Sequence, residues 1–223
     1  MPRSKMAGGT SRLDELLEEL ATGLEQGLVP AGIFNDPEIF EREKEKIFSC
    51  SWIFLAHTSE IPSPGDYVLR YILDNAFIVV RGEDGQVRAF LDMCRHRGMR
   101  VCRAEAGNAS HFRCPFHGWT YRNDGTLVGV PAEREAFGEG FPKADWSLLP
   151  IPKLEEFDGL LFGNLSPDAP SLKEWLGDAS WYLELVTKRS PAGLEVLGPP
   201  QRFVVNTDWK LALETFISDS YHT

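Results

Sequence analysis

The chain has 223 residues, of which 33 are acidic and 23 basic, so its formal net charge is −10. This acidic balance disfavours binding to nucleic acid or to an anionic membrane surface. No apolar run approaches the length of a membrane-spanning helix, and Met1-Pro2-Arg3 is not followed by the apolar core of a signal peptide. We therefore expect a cytoplasmic protein with one large or two modest domains.

Two helices are predicted at the start of the chain. Ser11 and Asp14 form a capping-box pattern, and leucines then recur at helical spacing until Gly27. Asp36-Pro37 opens the second helix, with Asp as the cap and Pro in the first turn. We place both helices in an N-terminal segment, residues 1–47.

From Trp52 the apolar pattern changes to short strands separated by Pro/Gly turns, which indicates a small antiparallel β domain. The segment 82–85, Gly-Glu-Asp-Gly, is a hairpin signal. Predicted strands cover 52–55, 67–73, 77–81, 86–91, 112–114, 119–122 and 160–165. The linker 166–170 closes this domain, so its predicted bounds are 48–168.

A third region, 169–223, is predicted to begin with a helix over 172–187, in which Trp175, Trp181 and Tyr182 belong to the core. A short strand over 202–206 follows, and Asp208 caps a last helix that runs to His222. Helices at both ends and strands between them place the chain in the α+β class.

Four metal-ligand side chains stand in two similar groups within the β domain. The first group is Cys94-Arg95-His96, and the second is Cys114 with His117 in Cys-Pro-Phe-His. Two Cys and two His are the ligands of a Rieske [2Fe–2S] centre, in which the sulfurs hold one iron and the nitrogens hold the other. Each group supplies one ligand of each kind, as a two-iron cluster reached by two similar loops requires.

Zinc is the alternative metal, because Cys₂His₂ also suits a tetrahedral structural site. Paired ligands in zinc fingers are commonly Cys with Cys, which differs from the mixed pairs here. The other two cysteines, Cys50 and Cys102, are predicted to be buried free thiols.

The motifs Cys94–Gly98 and Cys114–Trp119, together with Asp-Trp-Lys at 208–210, Glu214 and the tail 219–222, resemble the α subunit of Rieske non-haem iron aromatic-ring-hydroxylating dioxygenases. The stretch 177–184 is similar to the naphthalene and polycyclic-arene branch. This resemblance implies a Rieske domain inserted in a helix-grip catalytic domain, only part of which is present. Respiratory Rieske proteins carry an additional disulfide at positions that are Met99 and Phe116 here, so a cluster at the low end of the potential range, about −150 mV, is expected.

The resemblance also implies a second metal site, a mononuclear Fe(II) held by two His and one carboxylate. His222 matches the first iron ligand. Asp219 matches a carboxylate that is not a ligand but joins the iron-bound His to a Rieske His of a neighbouring subunit, which would be His117. The second His would come five residues after His222, so the other ligands are expected beyond Thr223.

The implied activity is that of a terminal oxygenase, which adds O₂ to an aromatic ring to give a cis-dihydrodiol. Electrons would come from NAD(P)H indirectly, through a reductase and a ferredoxin. The implied assembly is α3, or α3β3 with a small β subunit. The alternative is a stand-alone Rieske electron-transfer protein without oxygenase activity.

Several arginines lie close to the cluster ligands in this otherwise acidic sequence, at positions 95, 97, 100, 103 and 113. One hypothesis is a docking surface for an acidic ferredoxin, which would steer the encounter electrostatically. The other is that the arginines are paired within the protein. The sequence does not distinguish the two.

Overall fold

The computed structural model describes residues 11–217, with side chains described through residue 214. One compact unit is Ile47–Pro199, and the segments on either side of it form a second unit. The predicted division at residue 168 falls inside Ile47–Pro199, and the predicted domain bounds stay a prediction. None of the helices in the described part of the chain has the length and apolar character needed to cross a bilayer.

The second unit, formed by the segments before and after Ile47–Pro199 in the sequence, is built from helices. They are α1 (Arg12–Leu24), a 3₁₀ helix (Ala31–Phe34), α2 (Pro37–Glu43) and α6 (Trp209–Ile217), and a π-helix (Lys44–Phe48) follows α2 directly. The predicted capping box is present, since the Asp14 N–H donates to Ser11 Oγ at 3.1 Å and the Ser11 N–H donates to Asp14 at 3.2 Å. Asp36 caps α2 as predicted, accepting the Glu38 N–H at 2.9 Å. Leu13, Ile33 and Ile39 form the small core between these helices.

The unit Ile47–Pro199 contains ten described strands, which are β1 (Ile53–His57), β2 (Asp66–Ile72), β3 (Asn75–Arg81), β4 (Val87–Leu91), β5 (Ala106–Asn108), β6 (His111–Arg113), β7 (Thr120–Arg122), β8 (Leu127–Gly129), β9 (Lys153–Phe157) and β10 (Leu160–Asn164). They form three antiparallel sheets, with the strand orders β1-β10-β9, β4-β3-β2-β5 and β6-β7-β8. The remaining helices are α3 (Glu133–Phe137), α4 (Leu172–Leu176), α5 (Ala179–Thr187) and two 3₁₀ turns (Thr58–Glu60 and Lys143–Trp146). The predicted α+β class is confirmed.

Strand β3 separates two hydrophobic cores, because side chains alternate between the faces of a strand. Ala76, Ile78 and Val80 enter one core, and Phe77 and Val79 enter the other. All five are buried. The first core also contains both cysteines of the ligand motif, so the candidate site is joined to the buried face of this sheet.

Three predictions about the third region were wrong. The helix over 172–187 is two helices, because Gly177 lies between them with φ of 48°. The segment 202–206 is not a strand. Trp175, Trp181 and Tyr182 are 49%, 57% and 66% exposed rather than core residues, since only the opposite faces of these short helices pack on the unit.

Candidate metal centre

The first ligand loop follows β4 and is closed by two backbone hydrogen bonds. The Gly98 N–H donates to the Cys94 carbonyl at 2.9 Å, and the Cys94 N–H donates to the Met99 carbonyl at 2.7 Å. Gly98 has φ of 76°, a conformation that strains residues with a Cβ. The sequence Cys-Arg-His-Arg-Gly therefore folds into one tight turn.

The second loop, after β6, repeats this geometry. The Gly118 N–H donates to the Cys114 carbonyl at 3.0 Å, the Cys114 N–H donates to the Trp119 carbonyl at 2.8 Å, and Gly118 has φ of 73°. The matching hydrogen bonds make the two loops structural counterparts, although the histidine is the third residue of one motif and the fourth of the other.

The two cysteines form one half of the candidate site. Cys94 and Cys114 are 2% and 3% exposed, and both belong to the same buried cluster. Burial raises the pKa of the Cys94 thiol, against the opposing effect of hydrogen bonds from Tyr121 and the His96 N–H. An iron ion would supply the positive charge that lets such thiols ionise.

Tyr121 contacts the sulfur of Cys94 and the backbone of the loop that carries it. It is fully buried, its hydroxyl oxygen lies 3.4 Å from Cys94 Sγ, and it accepts the Arg95 N–H at 3.0 Å. Because burial raises the pKa of Tyr121, the phenol keeps its proton. Since the phenol oxygen already accepts the backbone N–H of Arg95, the phenol can donate its own O–H to a Cys94 thiolate.

The two histidines form the other half. The rings of His96 and His117 lie 4.7 Å apart between centroids at 67°, and His96 stacks on Trp119 at 5.0 Å and 10°. Within the described residues, His96 Nδ1 is buried without a hydrogen-bond partner. A buried imidazole nitrogen without a partner is costly unless something else binds it.

Burial lowers the pKa of His96, and the neighbouring His117 and Arg97 lower it further. The ring is therefore held neutral, which is the form that binds a metal. His117, in contrast, is exposed at the surface, and the centroids of the His117 and Phe116 rings lie 3.9 Å apart. The site thus has one sheltered imidazole and one exposed imidazole.

The donor set fits a two-iron cluster. Across residues 11–217, no group of three or more His, Cys, Asp or Glu side chains is arranged to hold a single metal ion. A zinc site would need all four ligands around one ion, whereas a Rieske centre needs a sulfur pair and a nitrogen pair around two irons. The pairing of cysteine with cysteine and of histidine with histidine favours the cluster over zinc, and His96 Nδ1 is a nitrogen that either metal could bind.

Asp92, which was not among the predicted site residues, organises the end of the first loop. Its carboxylate is fully buried and accepts the N–H groups of Val101 and Cys102 at 2.9 and 2.8 Å. Arg100 Nε donates to the same carboxylate at 2.9 Å, and its Nη2 donates to Tyr71. An acidic residue at the end of an apolar strand, two positions before a ligand, was the signal available.

The arginines around the loops divide into two kinds. Arg100 is paired within the protein, with Asp92 and Tyr71, as the second hypothesis states for this position. Arg97 and Arg103 are exposed and make no ion pair among the described residues, and Arg97 lies 6.0 Å from the Phe116 ring. The positive charges of Arg97 and Arg103 are therefore available to a partner protein.

The rings of His96 and His117 lie next to each other, and Cys94 and Cys114 enter the same core, while the role of these four residues as cluster ligands stays a prediction. Asp219 and His222 lie outside the described residues, so their predicted roles stay predictions. None of the four cysteines forms a disulfide. Cys102 is buried as expected, but Cys50 is exposed, which corrects the prediction for that residue.

A model of the Rieske [2Fe-2S] domain matches residues 51–154. The α subunit of an N,N-dimethyl phenylurea N-demethylase from Sphingobium is 46% identical over 210 residues, covering 94% of this chain and 46% of that protein. The large component of a naphthalene 1,2-dioxygenase system from Pseudomonas aeruginosa is 46% identical over 190 residues, covering 85% of this chain and 42% of that protein.

Solved structures agree with these relatives. A naphthalene 1,2-dioxygenase from Rhodococcus, crystallised with indole, superposes with a TM-score of 0.90 at 52% identity, covering 96% of this chain and 49% of that one. A quaternary ammonium Rieske monooxygenase superposes with a TM-score of 0.65 at 33% identity, covering 71% and 46% in its apo form. The chain therefore spans about half the length of the relatives that it matches.

Proposed function

The chain belongs to the α subunits of the Rieske aromatic-ring-hydroxylating dioxygenases, and from this premise we propose that it receives electrons for a terminal oxygenase. The reaction proposed for the whole protein is the addition of O₂ to an aromatic ring to give a cis-dihydrodiol. The observation that carries the proposal is the pair of matched loops, with two adjacent buried cysteines and a buried His96 nitrogen without a protein partner.

Cys94 and Cys114 would hold one iron of the [2Fe–2S] cluster, and His96 and His117 the other. When bound, this cluster supplies one-electron transfer. The chain's own residues prepare the site for it: burial keeps water from the sulfurs, and the Tyr121 hydroxyl donates toward one of them. His117 is the exposed ligand, which suits contact with another subunit.

His222 is proposed as a ligand of a mononuclear Fe(II), and Asp219 as the carboxylate that orients it. When bound, such an iron supplies the site at which O₂ is activated. A carboxylate that hydrogen-bonds a ligating imidazole fixes its tautomer and orientation, and Asp219 would do so for His222. The same carboxylate is proposed to reach His117 of a neighbouring subunit, which requires an α3 or α3β3 assembly.

The proposed partners are a ferredoxin as the direct electron donor, a reductase that uses NAD(P)H, and a small β subunit. The proposed location is the cytoplasm, a reducing compartment, since two of the four cysteines are proposed cluster ligands and none forms a disulfide. A stand-alone Rieske electron carrier is the weaker reading, because the curated relatives are large or α subunits of oxygenases and related enzymes.

The test combines metal content with product analysis on the protein that carries this chain. We expect three irons and two acid-labile sulfides per α subunit, and a cis-dihydrodiol from naphthalene when ferredoxin, reductase and NADH are supplied. A variant with Cys114→Ser should lose the sulfide and the activity, while Cys50→Ser, at an exposed thiol outside the site, should keep both. Two irons and no oxygenated product would contradict the proposal.

Oxidative N-demethylation is a second candidate, because the phenylurea N-demethylase subunit matches 94% of this chain. In that reaction one oxygen atom enters an N-methyl group, and the unstable product releases formaldehyde. The same reconstituted protein should therefore be given an N,N-dimethyl phenylurea. Formaldehyde from this compound without dihydrodiol from naphthalene would favour the second candidate.

A further inference from the structure

Glu43 is the buried charged residue at the end of α2, and it contacts the start of α6. It is 9% exposed. The Trp209 Nε1–H donates to Glu43 Oε2 at 2.8 Å, and Lys210 Nζ donates to Glu43 Oε1 at 2.6 Å. These contacts join residues that are 166 and 167 positions apart in the sequence. Both donors belong to the Asp-Trp-Lys motif, whose role is not explained by the cluster site.

In this group one ammonium, that of Lys210, contacts two carboxylates, those of Glu43 and Asp208. Lys210 Nζ also lies 2.8 Å from Asp208, and its side chain is 17% exposed. Burial opposes the charge on Lys210, but hydrogen bonds to Asp208 and Glu43 outweigh it and raise its pKa. Asp208 in turn accepts the Lys210 backbone N–H at 2.9 Å, in the manner of a helix cap. Both carboxylates therefore contact the first turn of α6.

The geometry of α2 supports a specialised role for Glu43. The helix changes into the π-helix Lys44–Phe48 immediately after this residue. Single-turn π segments are rare and occur frequently at functional sites. A buried carboxylate is costly unless it is fully paired, and Glu43 is paired with both Trp209 and Lys210.

We propose that Glu43 is a positioning residue, which anchors α6 through Trp209 and Lys210 and so sets the place from which the chain continues to Asp219 and His222. The inference rests on the proposed function, because His222 is an iron ligand only in that proposal. Glu43 does not touch the iron. It acts by fixing the first turn of α6, the helix that precedes Asp219 and His222 in the sequence. Lys210, in that first turn, comes twelve residues before His222.

The main variant is Glu43→Gln, in the assembled holoenzyme. Glutamine keeps an acceptor for Trp209 but removes the charge opposite Lys210. Lys210 keeps its pairing with Asp208, but the charge-assisted hydrogen bond that joins α2 to α6 is weakened. We therefore expect amide hydrogen exchange in Trp209–Ile217 to become about tenfold faster or more. We also expect at least half of the mononuclear iron to be lost while the visible and EPR signals of the [2Fe–2S] cluster stay unchanged.

Glu41→Gln is the matched control. It makes the same chemical change two residues earlier on the same helix, where Glu41 is 65% exposed and paired with Lys44. Exposed pairs contribute little, so exchange and iron content should match the wild type.

Lys210→Met and Lys210→Arg keep the inference testable if Glu43→Gln folds poorly. Lys210→Met should reproduce the iron loss, and the double variant Glu43→Gln/Lys210→Met should lose no more than Lys210→Met alone, since the Glu43 carboxylate is then not left without its cation. Lys210→Arg retains the charge and should retain the iron. Equal losses for Arg and Met at this position would overturn the inference.

The two proposals fail in different ways. A wild-type protein without mononuclear iron would overturn the proposed function. In an iron-containing protein, wild-type exchange rates and wild-type iron in Glu43→Gln would overturn the anchoring role alone.

Discussion

The hydroxyl group of Tyr121 is expected to affect the reduction potential of the bound cluster. This hydroxyl is the side-chain donor at Cys94, and hydrogen bonds to the sulfurs raise the potential because they stabilise the extra electron of the reduced state. We expect Tyr121→Phe to lower the cluster potential by about 60 mV, which corresponds to about 1.4 kcal/mol for one electron. Potentiometric titration followed by EPR measures this shift.

Tyr67→Phe is the control for that measurement. Tyr67 packs against the same core, but its hydroxyl bonds to Cys102, which is not a ligand; burial and this contact raise the pKa of Tyr67 to about 12. Its removal should leave the potential unchanged. If both variants shift the potential equally, the effect comes from general loosening of the core and not from the hydrogen bond to Cys94.

Asp92 acts on a larger scale, since it joins the end of β4 to the segment that follows the first ligand loop. Asp92→Asn would present an N–H group to donors and would leave Arg100 without its carboxylate. Losing a buried, charge-assisted network of this kind costs about 2–4 kcal/mol. For a chain of this size the midpoint of thermal cluster loss should fall by about 5–10 °C. Absorbance in the visible range follows that transition.

Asp84→Asn tests whether the loss of any Asp–Arg pair has this effect. Asp84 bonds Arg88 in an exposed hairpin, where the Asp84 side chain is 49% exposed. Its substitution should leave the midpoint unchanged within error. An equal fall for Asp84→Asn would show that Asp92 has no special part in supporting the ligand loop.

At the scale of elements, the sequence predicted those with strong local signals. The capping box of α1, the Asp-Pro start of α2 and the hairpin between β3 and β4 all depend on residues a few positions apart, and all are confirmed. Strands β5 and β8 were missed because they have only three residues each, and β9 was missed because its five residues show no alternating apolar pattern. All three are defined by pairing with neighbouring strands. The break at Gly177 was missed because the apolar residues on both sides continue at helical spacing.

At the scale of the whole molecule, the charge distribution contrasts with the composition. The chain carries a net charge of −10, yet Arg97 and Arg103 are exposed beside the cluster loops. If an acidic ferredoxin docks there, Arg97→Glu should slow reduction of the cluster about tenfold at low ionic strength, because charge complementarity raises the association rate. The difference should shrink as salt is added. Stopped-flow absorbance with reduced ferredoxin measures the rate.

Arg189→Glu makes the same change of charge at an exposed position after α5, outside the ligand loops. This variant should reduce at the wild-type rate and with the wild-type dependence on salt. A rate for Arg97→Glu that equals that of Arg189→Glu would remove Arg97 from the docking surface.

The sequence by itself determined which side chains can bind metal. Cys94, His96, Cys114 and His117 are recognisable because ligand chemistry restricts residue type and the tight loops restrict spacing. What only the tertiary structure decided is how these groups are supported. The hydroxyl of Tyr121 reaches Cys94 from 27 positions away, and Glu43 meets Lys210 from 167 positions away. Such contacts depend on how strands and helices pack, and packing distances leave no periodic signal in one sequence.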